Sequence, residues 1–113
     1  MAIYQNDRMR AVSRPSLPQV EKHIRRCAQD TSNIIFLAHA QQRMSERDIN
    51  HAMVVETLRM GMLAREPEPD IRTGALRYRM ERYVAGINVA VIVELEYPDP
   101  TLTVITVVEV RRN

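Results

Sequence analysis

Apolar positions recur at helical spacing in the first half of the chain and alternate at strand spacing in the second. Leu17, Val20, Ile24 and Cys27 form one stripe, with Lys22, Arg25 and Arg26 outside it. Ser16 and Gln19 make a capping-box pair and Pro18 falls in the first turn, so a helix begins at Ser16. Asp30 to Asn33 reads as a turn. Ile34–Leu37 fits a short strand or the start of the next helix, which covers about Ala38 to Glu46. The chain breaks near Asp48 and Ile49, because Asn50 is a good N-cap for a third helix, His51 to Met60, closed by Gly61. His51, Val54, Val55 and Leu58 follow one stripe, which puts His51 on the core side.

After Gly61 the period changes. Short strands fit Met62–Glu66, Leu76–Val84, Ile87–Tyr97 and Leu102–Val110, separated by PEPDIRTG, Ala85-Gly86 and PDP. Ile87–Leu95 is apolar on both faces and suits a central position. Leu76–Val84 sends Leu76, Tyr78, Met80 and Val84 to one side and Arg77, Arg79, Glu81 and Tyr83 to the other. The expected fold class is α+β, with N-terminal helices packed on a four-stranded antiparallel meander sheet.

Length and composition narrow this picture. The chain has 113 residues, enough for one domain with a modest core. Residues 1–15, with Arg8, Arg10 and Arg14, read as a flexible basic arm, and residues 16–113 as a single domain. Only 4% of residues are aromatic and Trp is absent, so the core is aliphatic, with seven Met filling gaps. A single cysteine, Cys27, excludes an internal disulfide and fits a reducing compartment. No stretch resembles a signal peptide or approaches the ~18 apolar residues of a membrane span, so a cytoplasmic protein without membrane contact is expected.

The net charge of +2 is weak, but of 16 Lys and Arg only Lys22 is lysine. Arginine offers a planar fork suited to phosphate and carboxylate. A GC-rich genome explains the bias equally well.

Candidate chemistry concentrates in HAQQRMSERDINH, which sets His39, Arg43, Arg47 and His51 at four-residue intervals. In a continuous helix each step turns the side chain by ~40°, so the four form one stripe bordering the buried side. Arginines there need anionic partners. These are Glu66, Glu68 or Asp70 of the same chain, or a phosphate.

The stretch H-A-x-x-R-M-x-x-R-x-I at His39–Ile49, the helix ending at Gly61, the PEPD turn and the terminal V-I-T-V-V strand resemble the domain-of-unknown-function family 4258. That family is grouped by resemblance with BrnT and RelE-like toxins, small ribonucleases with helices on an antiparallel sheet. Leu37-Ala38 stands where a small hydroxyl residue often precedes the histidine. The resemblance covers roughly Ile34 to Val110 and makes His39, Arg43 and Arg47 the signature positions, with Met44 and Ile49 as packing positions.

The chemistry it implies is metal-independent, cofactor-free RNA cleavage by attack of the 2′-hydroxyl on the adjacent phosphate. His39 is the candidate acid or base. Arg43 and Arg47 are candidate phosphate clamps. Arg77, Arg79 and Tyr83 are candidate RNA-binding residues, the tyrosine by stacking on a base. A bland reading stands beside each: His39 as a cap or structural partner, His51 as a core histidine, Arg77 and Arg79 as solvated charges. The histidines, about 12 and 16 residues apart, match no zinc pattern, and nothing resembles a phosphate loop or a nucleophile elbow.

Three functions therefore remain open. The first is a toxin-type endoribonuclease with a cognate antitoxin. The second is a non-catalytic phage or mobile-element protein on the same fold that binds and inhibits a host nucleic-acid machine. The third is a small homodimer joined through its second sheet face.

Overall fold

The computed structural model of the protein describes residues 15–111. They form a mixed α+β domain of three helices, one 3-10 turn and six strands. The arm read over residues 1–15 lies, apart from Pro15, outside the described residues.

Helix α1 (Leu17–Cys27) starts as its sequence requires. Ser16 Oγ accepts the Gln19 amide at 3.3 Å, and Gln19 Oε1 accepts the Ser16 amide at 2.8 Å. Val20, Ile24 and Cys27 are buried, and His23 with them. Asp30 caps a 3-10 turn at Thr31–Asn33, and Ile34–Phe36 then resolves as strand β1.

Helices α2 (Ala38–Glu46) and α3 (His51–Met60) follow. Asp48, with φ 54°, turns the chain between them; aspartate is among the few residues that visit this conformation readily. Asn50 Oδ1 then accepts the Met53 amide at 2.9 Å, the N-cap that its identity predicts. Gly61 closes α3 at φ −77°, an ordinary backbone angle. Space selects glycine here, since a Cβ would stand 2.4 Å from the Thr57 carbonyl oxygen and 2.8 Å from that of Glu81.

The remaining strands are β2 (Met62–Leu63), β3 (Glu68–Pro69), β4 (Leu76–Val84), β5 (Ile87–Glu94) and β6 (Leu102–Glu109). The sheet order is β1-β6-β5-β4-β2, with β3 paired to β4 off this path. The expected four-stranded antiparallel meander is thus corrected to six strands. β1 pairs in parallel with β6, Ile34 opposite Leu102. Its partner comes from the far end of the chain, so no local pattern announces it. Part of the stretch read as the PEPDIRTG turn returns to β4 as β3, with Glu68 opposite Arg77. Ala85 and Gly86, at φ 52° and 85°, make the two-residue hairpin turn between β4 and β5.

The core lies between the helices and one face of the sheet. β5 is central, and its Val89, Val91 and Val93 are fully buried. Val104 and Val107 are also fully buried although three residues apart, a spacing that regular alternation forbids. A bulge between β5 and β6 resets the phase: Ile92 pairs with Thr106 but Val93 with Val104, so Ile105 is the extra residue.

Candidate functional site

The exposed His39 stands in the first turn of α2, where Leu37 is an N-cap with no side-chain hydrogen bond. Among the described residues, none forms a hydrogen bond, ion pair or ring contact with its imidazole. Ala40 and Met44 bury the underside of α2, and Arg43, one turn after His39, is partly buried beside them. The stripe borders the core, as the helical wheel predicts.

The stripe does not run on to His51. Arg47 is the C-cap of α2, and the left-handed Asp48 re-aims the chain before α3 begins. His51 is therefore corrected from a core position to an exposed one. As the first residue of α3 it lies against β1, its ring edge-to-face with Phe36 at a centroid distance of 4.4 Å.

Both helix arginines are held by one carboxylate on their own helix. Arg43 Nη1 is 2.7 Å from Glu46 Oε1, and Arg47 Nη1 is 3.6 Å from the same oxygen. The hydrogen bond from Arg43 is the main cause that holds the Glu46 carboxyl below the ordinary carboxylate range, with Gln42 contributing. The anticipated partners Glu66, Glu68 and Asp70 are not the ones used. Two guanidinium groups thus share one carboxylate, and with Asp48 directly after Arg47 the segment is formally neutral.

Arg77, Arg79 and Tyr83 stand elsewhere. They alternate along β4 with Tyr78, Met80 and Val84, which are buried under the helices. They therefore project from the opposite face of the sheet and share no surface with Arg43. Arg77 reaches Asp70 Oδ2 at 2.5 Å and Glu94 Oε1 at 3.0 Å, while Arg79 reaches Glu81 Oε2 at 2.7 Å. Asp70 in turn accepts the backbone amides of Arg72 and Thr73, which lower its pKa most, followed by the Arg77 charge. Tyr83 is 65% exposed. A hollow of about 230 Å³ opens on this face between Arg65, Arg77, Arg79, Ile92, Ile105 and Thr106.

His23 has no role in the expected site, yet it is the buried histidine, only 4% exposed. Its place between Val20 and Cys27 in the α1 stripe was the legible signal. Nε2 lies 2.9 Å from the Asp99 carbonyl oxygen, which can only accept, so Nε2 carries the proton. The Cys27 sulfur lies against the same ring, 3.5 Å from Nε2 and 3.7 Å from Nδ1. Burial raises the Cys27 pKa, which keeps the thiol protonated and makes the pair structural rather than nucleophilic. Tyr97 packs edge-on against the same ring at 4.9 Å.

Among the described residues no helix is long and apolar enough to cross a membrane, and no three His, Cys, Asp or Glu gather as a metal site. Fold and surface together define a small α+β domain whose helical layer carries an exposed histidine and clustered arginines. The chain belongs to the family described as a domain of unknown function, DUF4258, whose model matches residues 36–109. That span runs from the end of β1 to the end of β6 and contains both groups of candidate residues. No curated protein and no solved structure matches the chain.

Proposed function

We propose that the protein is a metal-independent endoribonuclease of the toxin–antitoxin type, similar to the BrnT and RelE-like toxins, acting on RNA in the cytoplasm. The observation that carries this reading is the exposed imidazole of His39, without a partner among the described residues, one turn from Arg43, which shares the Glu46 carboxylate with Arg47. Cleavage needs a base for the 2′-hydroxyl proton, an acid for the leaving 5′-oxygen, and cations for the charge that builds on phosphorus. His39 supplies one proton-transfer group. His51, exposed and seated on Phe36 three residues before His39, supplies the other. Arg43 and Arg47 exchange Glu46 for the RNA phosphate. Arg77, Arg79 and Tyr83 take no part at this helical surface.

Inducing the protein in bacteria beside its His39→Ala variant tests the reading, together with incubation of the purified protein with RNA in EDTA. Growth arrest, and 5′ fragments ending in 2′,3′-cyclic phosphate, are expected from the unmodified chain. His39→Ala should lower the rate by about 10²–10⁴-fold. Cleavage indifferent to His39→Ala overturns the assignment.

A second reading is a non-catalytic protein that binds a host nucleic-acid machine. It is favoured by the ion pairing of Arg43, Arg77 and Arg79, since each of these arginines already has a carboxylate. Absence of cleavage for every RNA tested, with growth still arrested, decides for it.

A further inference from the structure

The sheet face turned away from the helices has no described helix or strand packed on it, and residues 65–68 only rim its hollow. Register sets its composition. Ile35 stands beside Thr103, Met62 beside Glu81, Tyr83 beside Asn88 and Ile92 beside Arg79. The β6 bulge adds Ile105, and Val108 lies beside Ala90. Ile35, Met62 and Tyr83 are 47%, 63% and 65% exposed. The charges among these residues cancel locally, Arg77 against Glu94 and Arg79 against Glu81.

We infer that this face is the contact surface of a symmetric homodimer, in which two copies stack sheet on sheet. Its central charges, Arg77, Arg79, Glu81 and Glu94, pair within each copy, and Arg65, Glu66 and Glu68 at the rim are of both signs, so it does not present the positive field that a polyanion requires. A neutral apolar face of this kind is complementary to itself, and a two-fold axis brings the same patch from both copies together. The long strands β4, β5 and β6, with eight or nine residues each at ~3.3 Å and ~4.8 Å spacing, together with the short edge strands, offer about 450–500 Å² per copy. Two copies then bury on the order of 900–1,000 Å², the range of weak, reversible association. Aligned sheets pack about 10 Å apart, which lets Ile92 and Ile105 at the centre interdigitate. The helices face outward in both copies, so the dimer stands whether or not His39 is catalytic.

Sedimentation velocity on the full chain, from sub-micromolar to high micromolar concentration, tests this. A reversible dimer is expected, with Ile92→Glu and Ile105→Glu each weakening it by at least about thirtyfold, as a central hot spot does. Gln41→Glu on exposed α2 should leave it unchanged. Far-UV circular dichroism reports whether the variants fold. Should they not, Ile92→Cys in a Cys27→Ala background replaces them, and mild oxidation should yield a covalent dimer. A monomer at every concentration overturns the inference, as does a dimer indifferent to both glutamate variants or a failure of the cysteine variant to cross-link.

Discussion

Arg25 and Arg59 each cap the other's helix. Arg25 donates to the Gly61 carbonyl at the end of α3, at 2.9 and 2.6 Å. Arg59 donates to the Ala28 and Gln29 carbonyls at the end of α1, at 2.8 and 3.2 Å. Terminal carbonyls have no partner within their own helix, and the helix dipole favours a cation beside them. Glu21 adds to the clamp by accepting the Leu63 amide of β2 at 2.8 Å. Arg25→Ala or Arg59→Ala should each lower unfolding free energy by about 1–2 kcal/mol, read from denaturant titration. An unchanged midpoint in both variants would show that solvent replaces the arginines at no cost.

Gly61→Ala should destabilise by about 3 kcal/mol, the upper end of overpacking costs. The added methyl meets two backbone oxygens, at 2.4 and 2.8 Å, and neither can rotate away as a side-chain tip would. A thermal melt compares it with Ala64→Gly, at an exposed position, which should change little.

Asp70 makes the stability of the β3–β4 corner depend on pH. Its carboxyl is held below the ordinary range by the amides of Arg72 and Thr73 and then by Arg77. A depressed folded pKa contributes stability that is fully present above the unfolded value of about 3.9 and is lost as pH falls through the folded value. Asp70→Asn should therefore melt below the unmodified protein at neutral pH, and the gap should close on acidification below about pH 4. A gap that stays constant across that window contradicts the linkage.

Glu46→Gln separates the two meanings of the helix arginines. Freed from their shared carboxylate, Arg43 and Arg47 should bind RNA more tightly and with a steeper salt dependence if phosphate is their target. Filter binding of a short RNA across a salt series measures this. Identical slopes for both proteins would leave the arginines as surface ion pairs.

His23 and His51 should respond oppositely to alanine. His23→Ala strands the Asp99 carbonyl and opens a cavity under Tyr97, at a cost of about 2–3 kcal/mol. His51→Ala loses one exposed edge-to-face contact, about 0.5–1 kcal/mol, yet should abolish most RNA cleavage. Equal stability losses with equal activity would remove His51 from the proposed chemistry.

Local rules made the helices and the long strands legible. Ser16 with Gln19, Asn50, and the change of period after Gly61 are short-range signals that act within one turn or one hairpin. Alternation likewise assigned Arg77, Arg79 and Tyr83 to the polar side of β4. The tight packing around Gly61 was not legible, because the carbonyl of Glu81 is brought there only by the sheet.

The candidate site shows the same division. The four-residue spacing of His39, Arg43 and Arg47 determined a shared helical border. The Asp48 turn decided that His51 leaves that border, and the folding of the helices onto one sheet face decided that Arg43 and Arg79 stand apart. The sequence by itself thus determined the three helices and the long strands β4, β5 and β6, since those preferences arise from neighbouring residues, while β1 was left open and β3 read as turn. Tertiary structure alone decided the parallel β1–β6 pairing, the β6 bulge and the pairing of Arg77 with Glu94 and of Arg82 with Glu56, because these depend on contacts between segments far apart in the chain.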